Sequence, residues 1–129
     1  MAVSVAGLRY GSSVLAWRRP CGGYTMPGGK LDEGDRDILQ CASREAREEC
    51  NVDIPYTAWK VLATSTRSEP GRTYLLVLCA TKLETCPTNF DPESLGMEKI
   101  DLLSSFRAME GNDYLLDVMK EHLHGDVGL

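Results

Sequence analysis

The residues best suited to chemistry lie between positions 26 and 52, where a glycine-rich turn precedes a helix that carries three glutamates. Side chains three and four residues apart are neighbours on a helix, so Glu45 lies beside both Glu48 and Glu49. Like charges at these spacings destabilise a helix, and a hard divalent cation with oxygen ligands offsets that repulsion. Taken alone, the charged run 44–49 is more typical of a solvated helix surface. The glycine turn upstream favours a metal site for Mg²⁺ or Mn²⁺ instead.

The helix that must position these glutamates is predicted to run from about Ile38 to Cys50. Asp37 and Gln40 form a capping-box pattern at its start. Asn51 follows its end and can adopt the left-handed conformation that terminates a helix. Small apolar residues at four-residue spacing allow this helix to lie close against a sheet.

The joined pattern resembles the Nudix box: a glycine, five residues, Glu, seven residues, then Arg-Glu-apolar-x-Glu-Glu-x-Gly-apolar. Asp35 stands where Glu is usual and Asn51 where Gly is usual, and residues 36–43 make the spacer one residue longer. The cap at Asp37 assigns the extra residue to the preceding loop, as Arg36, so the glutamates keep their register. The positions that fill the box are Gly29, Asp35, Arg44, Glu45, Ala46, Glu48, Glu49 and Val52.

The resemblance implies a fold, a reaction and a set of site residues. The fold is an α/β/α sandwich with a mixed β-sheet between two helices, and the reaction is hydrolysis of a nucleoside diphosphate linked to another moiety, with Mg²⁺ or Mn²⁺ as cofactor. The implied metal ligands are the carbonyl of Gly29 and the carboxylates of Glu45, Glu48 and Glu49.

Further roles follow from the same resemblance. Glu48 and Glu49 are implied catalytic groups, with Glu98 as a loop general base and Glu93 in reserve, although each loop acid could equally be solvated. Arg44 is interpreted as structural, paired with Glu48 or with Asp35, and Asp35 could also contribute to the metal through water. The residues expected to contact substrate, each with a surface or core alternative, are Lys30, Tyr24, Trp17, Arg19 and Phe90.

The substrate is less determined than the reaction. The short chain favours a simple (d)NTP pyrophosphohydrolase. Pro70 and Tyr74 fall near the positions of subfamily markers for ADP-ribose and for dinucleoside polyphosphates, although both residues also have turn and strand explanations. From another class, the chain could be a catalytically lapsed Nudix-fold nucleotide-binding or interaction module; the three glutamates argue against that alternative.

Composition excludes several other classes. A chain of 129 residues with 43% hydrophobic residues is expected to form one domain over 1–129. A net charge of −5 disfavours broad nucleic-acid binding. There is no apolar run long enough for a membrane span and no signal-peptide pattern. Five cysteines without a C-x-x-C pair disfavour a disulfide scaffold or zinc site and indicate a reducing, cytoplasmic compartment. Monomer and homodimer both remain open.

The predicted elements follow the order β-β-β-α-β-β-β-α, which by itself supports a mixed α/β domain. Strands 57–65 and 73–83 are expected to form a hairpin at the sheet centre, the second buried on both faces. A long irregular loop over 84–96 is expected to be functional. A final helix starting at Asn112 or Asp113 is expected to end at Gly125.

Overall fold

The computed structural model describes residues 2–18, 23–85, 97–102 and 112–127 of the chain. A 3₁₀ turn, Tyr56–Ala58, precedes the fifth strand. Neither described helix has the length and apolar character of a membrane span. The elements are β1 (Ala2–Tyr10), β2 (Ser13–Arg18), β3 (Tyr24–Thr25), β4 (Gly28–Lys30), α1 (Ile38–Cys50), β5 (Lys60–Glu69), β6 (Arg72–Lys82), β7 (Met97–Asp101) and α2 (Asn112–Val127).

The seven strands form one mixed sheet in which β1 is central. β1 runs parallel to β6, and every other pairing of the described strands is antiparallel. β6 occupies one edge of β1 along residues 2–9, so β2 and β4 must share the other edge. β1 and β2 pair only beside their turn and then diverge. The segment β3–β4 fills the gap between them, which places the glycine turn in the interior of the sheet.

Alternation of side chains along β1 builds a core on each face of the sheet. Helix α1 covers one face and helix α2 the other, which confirms the predicted α/β/α arrangement with a mixed sheet between two helices. The α1-side core includes Ala6, Leu8, Leu15, Ala42, Ala46 and Cys79. The α2-side core includes Val3, Val5, Leu76, Leu78, Leu115 and Met119.

Both predicted ends of α1 are present, with one change. The side chain of Asp37 accepts a hydrogen bond from the backbone N–H of Gln40 at 3.0 Å. The Gln40 side chain accepts from the N–H of Arg36 at 3.2 Å, one residue earlier than a capping box requires. Asn51 has φ 56° and ψ 38°, the left-handed conformation expected at the helix end. The extra residue therefore lies in the loop and is itself bonded to the helix cap.

Three strand predictions need correction. Residues 57 and 58, predicted as strand, belong to the 3₁₀ turn, which is closed by a hydrogen bond from the N–H of Ala58 to the carbonyl of Pro55 at 2.9 Å. The β5–β6 hairpin lies at the side of the sheet rather than its centre, because β5 pairs only with β6. Leu75 in β6 is 44% exposed because α1 covers Cys79 but does not extend over the start of that strand.

The end of α2 and the long loop before β7 were also predicted from the sequence. Helix α2 continues to Val127, past the predicted stop at Gly125. Most of the expected functional loop, residues 86–96, lies outside the described residues. Cys41 and Cys79 are fully buried, as their predicted core role requires. Burial raises the pKa of the Cys79 thiol to about 12.

Removing the N-cap should destabilise the fold measurably. We expect Asp37→Ala to lower the free energy of unfolding by about 1 kcal/mol, because one N–H in the first turn of α1 loses its acceptor. Asp37→Asn keeps an acceptor oxygen and serves as the matched control. Urea unfolding followed by circular dichroism measures both variants. An alanine variant as stable as wild type would contradict the cap assignment.

Candidate active site

The glycine turn brings β4 into contact with β1 and α1 at distances that only glycine allows. Gly28 pairs with Val5 and Gly29 with Ser4. A Cβ on Gly28 would lie 2.0 Å from the carbonyl oxygen of Ser4. A Cβ on Gly29 would lie 2.2 Å from Oε1 of Glu45. One glycine therefore admits a neighbouring backbone, and the other admits a carboxylate.

The three helix glutamates differ in their surroundings. Glu45 is buried, with 9% of its surface exposed, and its carboxylate lies against Gly29. Glu49 is half-buried, and its Oε2 accepts a hydrogen bond from the N–H of Gly28 at 2.9 Å. Glu48 lies on the exposed side of the helix, with 57% of its side chain accessible. The helix thus presents one buried, one half-buried and one exposed carboxylate beside the glycine turn.

A single guanidinium, that of Arg44, joins the acids of the loop to those of the helix. Its Nη2 lies 3.0 Å from Oδ2 of Asp35, and its Nη1 lies 3.0 Å from Oε1 of Glu45. The same Nη1 lies 3.2 Å from Oε2 of Glu48, and Nη2 donates to the carbonyl oxygen of Lys30 at 3.1 Å. The two partners considered for Arg44 from sequence, Glu48 and Asp35, are therefore engaged together. The sequence did not predict the hydrogen bond between Arg44 and Glu45, because residues i and i+1 do not face each other on a helix.

The Asp35 carboxylate accepts hydrogen bonds from the backbone of its own loop as well as from Arg44. Its Oδ2 accepts from the backbone N–H of Asp32 at 2.9 Å, and only 5% of its side chain is exposed. The adjacent insertion at Arg36 does not prevent the pairing. In this arrangement Asp35 is a partner of Arg44, and its expected contribution to a metal site through water stays a prediction.

Burial and pairing move the pKa values of these acids in opposite directions. The hydrogen bonds from Arg44 lower the pKa of the Asp35 carboxyl below its ordinary value. Burial raises the pKa of Glu45, and the neighbouring charge of Arg44 only partly opposes that change. The charged form of Glu45 is therefore under-compensated, and a bound cation would stabilise it.

The donor set fits a hard divalent cation. The groups that converge near Gly29 offer carboxylate and carbonyl oxygens, the ligands that Mg²⁺ and Mn²⁺ prefer. The missing Cβ of Gly29 leaves room for the Glu45 carboxylate beside its backbone. Within the described ranges, no three His, Cys, Asp or Glu side chains surround one point closely enough to hold a metal ion. Arg44 takes two of the carboxylates and the N–H of Gly28 takes Glu49, so metal binding would require these side chains to re-orient.

Cys41 and Ser4 belong to this region although the sequence reasoning gave neither a role here. The Sγ of Cys41 donates to Oγ of Ser4 at 3.3 Å and lies 3.5 Å from the carbonyl oxygen of Gly29. Ser4 Oγ donates to that same carbonyl at 3.4 Å. Cys41 precedes Glu45 by four residues, so helical spacing could have placed it on this face. Ser4 carries no local signal, because only the pairing of β1 with β4 brings it there.

Lys30 does not direct its ammonium group toward the glutamates. Its Nζ lies 5.3 Å from the centre of the Tyr74 ring, where Arg67 also lies at 5.3 Å. Tyr74 belongs to the α2-side core, whereas Gly29 faces Glu45 on the α1 side. Alternation along β4 accounts for the difference, since adjacent residues face opposite sides of a sheet. A phosphate contact by Lys30 stays a prediction that requires its side chain to leave Tyr74.

The remaining predicted residues lie along β2, β3 and β7. Glu98 was predicted to lie in a loop, but it is part of strand β7 and forms an ion pair at 2.9 Å with Arg18 on the adjacent strand β2. Arg18 also lies 5.8 Å from the centre of the Tyr24 ring. Trp17 is half-buried and packs against the α1-side core. Arg19, Phe90 and Glu93 lie outside the described residues.

An open groove of about 440 Å³ runs beside the buried glutamate. Its walls come from the glycine turn, the loop that follows it, and helix α1. The lining residues are Lys30, Leu31, Asp32, Arg44 and Glu45. Its volume lies within the range of small-molecule sites.

The chain is similar to known proteins in its sequence pattern and in its fold. A family model described as the NUDIX domain matches residues 1–113. No curated protein sequence matches the chain significantly.

Three solved structures illustrate the structural similarity. The MutT NUDIX hydrolase of Burkholderia pseudomallei is 14% identical, with a TM-score of 0.74 over 90% of this chain and 95% of that one. The NUDIX domain of Shewanella oneidensis NrtR, complexed with ADP ribose, is 20% identical, with a TM-score of 0.75 over 95% and 88%. A Caenorhabditis elegans Ap4A hydrolase is 17% identical, with a TM-score of 0.62 over 98% and 99%. At these identities the likeness establishes the fold.

Two glycines of the turn and one glycine of the following loop should respond differently to alanine. Gly28→Ala meets the backbone of Ser4 and should lower the free energy of unfolding by about 1–3 kcal/mol. Gly29→Ala meets only the end of the Glu45 side chain, which can rotate, so it should cost less than about 1 kcal/mol while displacing the carboxylate. Gly34→Ala meets nothing within 4 Å and is the matched control.

Chemical denaturation ranks the three variants, and a crystal structure of Gly29→Ala locates the Glu45 side chain. Equal losses for Gly28→Ala and Gly34→Ala would contradict the close approach of β4 to β1. An unmoved Glu45 carboxylate in Gly29→Ala would contradict the contact between that glycine and the helix.

Proposed function

The chain belongs to the Nudix hydrolase family, whose members are pyrophosphohydrolases, and from this premise we propose that it cleaves the pyrophosphate linkage of a (d)NTP. The products would be a nucleoside monophosphate and pyrophosphate. The observation that carries the proposal is the contact between the buried Glu45 carboxylate and Gly29, beside two further helix glutamates. A buried acid is costly unless cations compensate it, and Arg44 only partly opposes the effect of burial on Glu45.

The residues that would hold the metal are Glu45, Glu48, Glu49 and the carbonyl of Gly29. When bound there, Mg²⁺ or Mn²⁺ supplies charge neutralisation for the phosphates and lowers the pKa of a bound water. Divalent metal use is general in this family. Arg44 has the complementary task of holding Asp35 and the helix carboxylates together before a metal arrives.

Two groups are proposed for the general base. Glu48 is exposed and bonded only to Arg44 among the described residues, so it can turn toward a substrate in the groove. Glu98 is paired with Arg18. Removing each carboxylate in turn distinguishes the two candidates. Loss of the general base should lower kcat more than it raises KM.

The structural roles of Tyr74 and Pro70 weaken the argument for the two competing substrates. Tyr74 is buried in the α2-side core between Lys30 and Arg67, and Pro70 forms the β5–β6 turn, so each already has a structural role. The similar NrtR domain is complexed with ADP ribose, and another similar protein is an Ap4A hydrolase. These ligands therefore belong in the same substrate panel as the eight common nucleoside triphosphates.

The lapsed-module alternative is disfavoured because α1 carries all three glutamates, of which Glu45 and Glu49 contact the glycine turn. The buried free thiols of Cys41, Cys50 and Cys79 agree with the proposed reducing, cytoplasmic compartment.

The proposal predicts Mg²⁺-dependent turnover of at least one (d)NTP, with pyrophosphate as product. Anion-exchange chromatography of the reaction products identifies which phosphoanhydride bond is broken. Faster turnover of ADP-ribose or of a dinucleoside polyphosphate would reject the substrate class while leaving the family chemistry intact. Absence of turnover on the whole panel, with folded protein, would reject the activity.

Removing one helix carboxylate should abolish most of that activity. We expect Glu48→Gln to lower kcat/KM by at least about 100-fold, because an anionic oxygen is lost while the side-chain shape is kept. The exposed Glu121 on α2 provides the control Glu121→Gln, which should keep wild-type activity. Unaltered circular dichroism spectra show that folding is retained. Near-full activity in Glu48→Gln would contradict the assignment of this glutamate.

A further inference from the structure

Strand β5 forms an edge of the sheet, and that edge is open to solvent. Among the described strands, β5 pairs with β6 alone. None of the ten residues of Lys60–Glu69 is buried. An edge strand presents a row of unpaired N–H and C=O groups, to which a further strand can add.

The hairpin turn indicates which backbone groups of β5 point outward. A Pro–Gly turn joins the register partners Glu69 and Arg72, and its glycine has φ 81°. These features define a type II turn, in which the N–H of the fourth residue donates to the carbonyl of the first. Hydrogen-bonding groups alternate sides along an antiparallel strand, so those of Ser68, Thr66 and Thr64 point away from β6.

A β-bulge in β5 places two opposite charges on the same face of the sheet. The register against β6 shifts between Val61 and Ala63, so Leu62 is an extra residue. In a regular strand Lys60 and Glu69 would lie on opposite faces, because an odd number of positions separates them. With the bulge, their partners on β6 are an even number of positions apart. Both side chains therefore lie on the α2 side.

Ser65 lies midway between these two charges. Its partner on β6 is four positions from the partner of Lys60 and four positions from the partner of Glu69. A second β5 strand can add antiparallel about a two-fold axis at Ser65. Lys60 of each copy then lies opposite Glu69 of the other. Thr64 of each copy lies opposite Thr66 of the other, and these are residues whose backbone groups point outward.

Charge favours this register over the adjacent one. An axis at Thr64 would place Lys60 opposite Arg67 of the second copy, and like charges directly opposite each other are destabilising. An axis at Ser65 replaces that repulsion with two symmetry-related contacts between Lys60 and Glu69. The Glu69 side chain is 49% exposed and lies 3.5 Å from Arg67 of its own strand, so its carboxylate is accessible to a second lysine.

We propose that β5 is the interface of a symmetric homodimer, in which the β5 strands of two copies pair antiparallel about Ser65 and join their sheets. Lysines and bulges usually protect edge strands from such pairing. Here the bulge instead brings Lys60 into line with Glu69 of the second copy. Val61, which is 48% exposed, lies opposite Ser68 of that copy, so pairing also removes apolar surface from water.

This interface is separate from the glutamate cluster. Strands β6 and β1 lie between β5 and β4, which carries the glycine turn. Pairing through β5 therefore does not involve Gly28, Gly29 or the helix glutamates. The dimer is independent of the proposed hydrolytic activity, and its test requires no substrate or metal.

Sedimentation-velocity ultracentrifugation of the full chain over a range of concentrations tests the proposal. We expect a monomer–dimer equilibrium for wild type. Lys60→Glu and Glu69→Lys should each raise the dissociation constant of the dimer at least about tenfold, because each places like charges opposite each other at two positions. The variant that carries both substitutions restores opposite charges and should dimerise nearly as wild type does.

Glu84→Lys is the matched control, because it makes the same charge change at an exposed residue outside β5. It should dimerise as wild type does, and circular dichroism verifies that every variant is folded. Three results would each overturn the proposal: a wild type that is monomeric throughout, undiminished dimerisation in both single variants, or a double variant no better than the single ones.

Hydrogen exchange followed by NMR tests the register itself. The amide hydrogens of Thr64 and Thr66 should exchange more slowly in concentrated wild type than in dilute wild type, because pairing with a second β5 occupies them. In Lys60→Glu at the same high concentration they should exchange faster. Exchange at these two residues that does not change with concentration, in a protein that does dimerise, would contradict pairing through β5.

Discussion

The guanidinium group of Arg44 lies between the carboxylates of Asp35, Glu45 and Glu48 and also donates to the carbonyl oxygen of Lys30. Isolated surface ion pairs contribute about 0–1 kcal/mol. Here one half-buried cation serves three acids that would otherwise repel one another, which is a network rather than a set of pairs. The loop, the glycine turn and the helix are therefore held in register by one side chain. Glu45 and Glu48 would have to leave Arg44 in order to hold a metal ion.

The close approach of the glycine turn makes this arrangement possible. β4 lies in the gap that opens as β1 and β2 diverge, so its backbone is packed on both sides. Gly28 accommodates β1 and Gly29 accommodates Glu45. The same alternation sends the Lys30 side chain to Tyr74 on the other face. A three-residue strand thereby separates the acidic site from the basic surroundings of Tyr74.

Local patterns predicted much of this site. The Asp37 cap, the Asn51 helix end and the α/β/α layers follow from short-range preferences and from the motif, and the structure confirms them. Contacts set by strand register were not accessible in this way. Glu98 meets Arg18 80 positions away, and Ser4 meets Gly29 25 positions away.

Binding of Mn²⁺ to the metal-free protein, followed by electron paramagnetic resonance of the free ion, tests the central claim most directly. The account predicts saturable binding to wild type, and its loss when Glu45, Glu48 and Glu49 are all replaced by Gln, with the fold retained. It also predicts that Mg²⁺ competes for the same site. Binding that survives the triple replacement, or absence of binding by wild type, would contradict the claim that these glutamates and the glycine turn form a metal site.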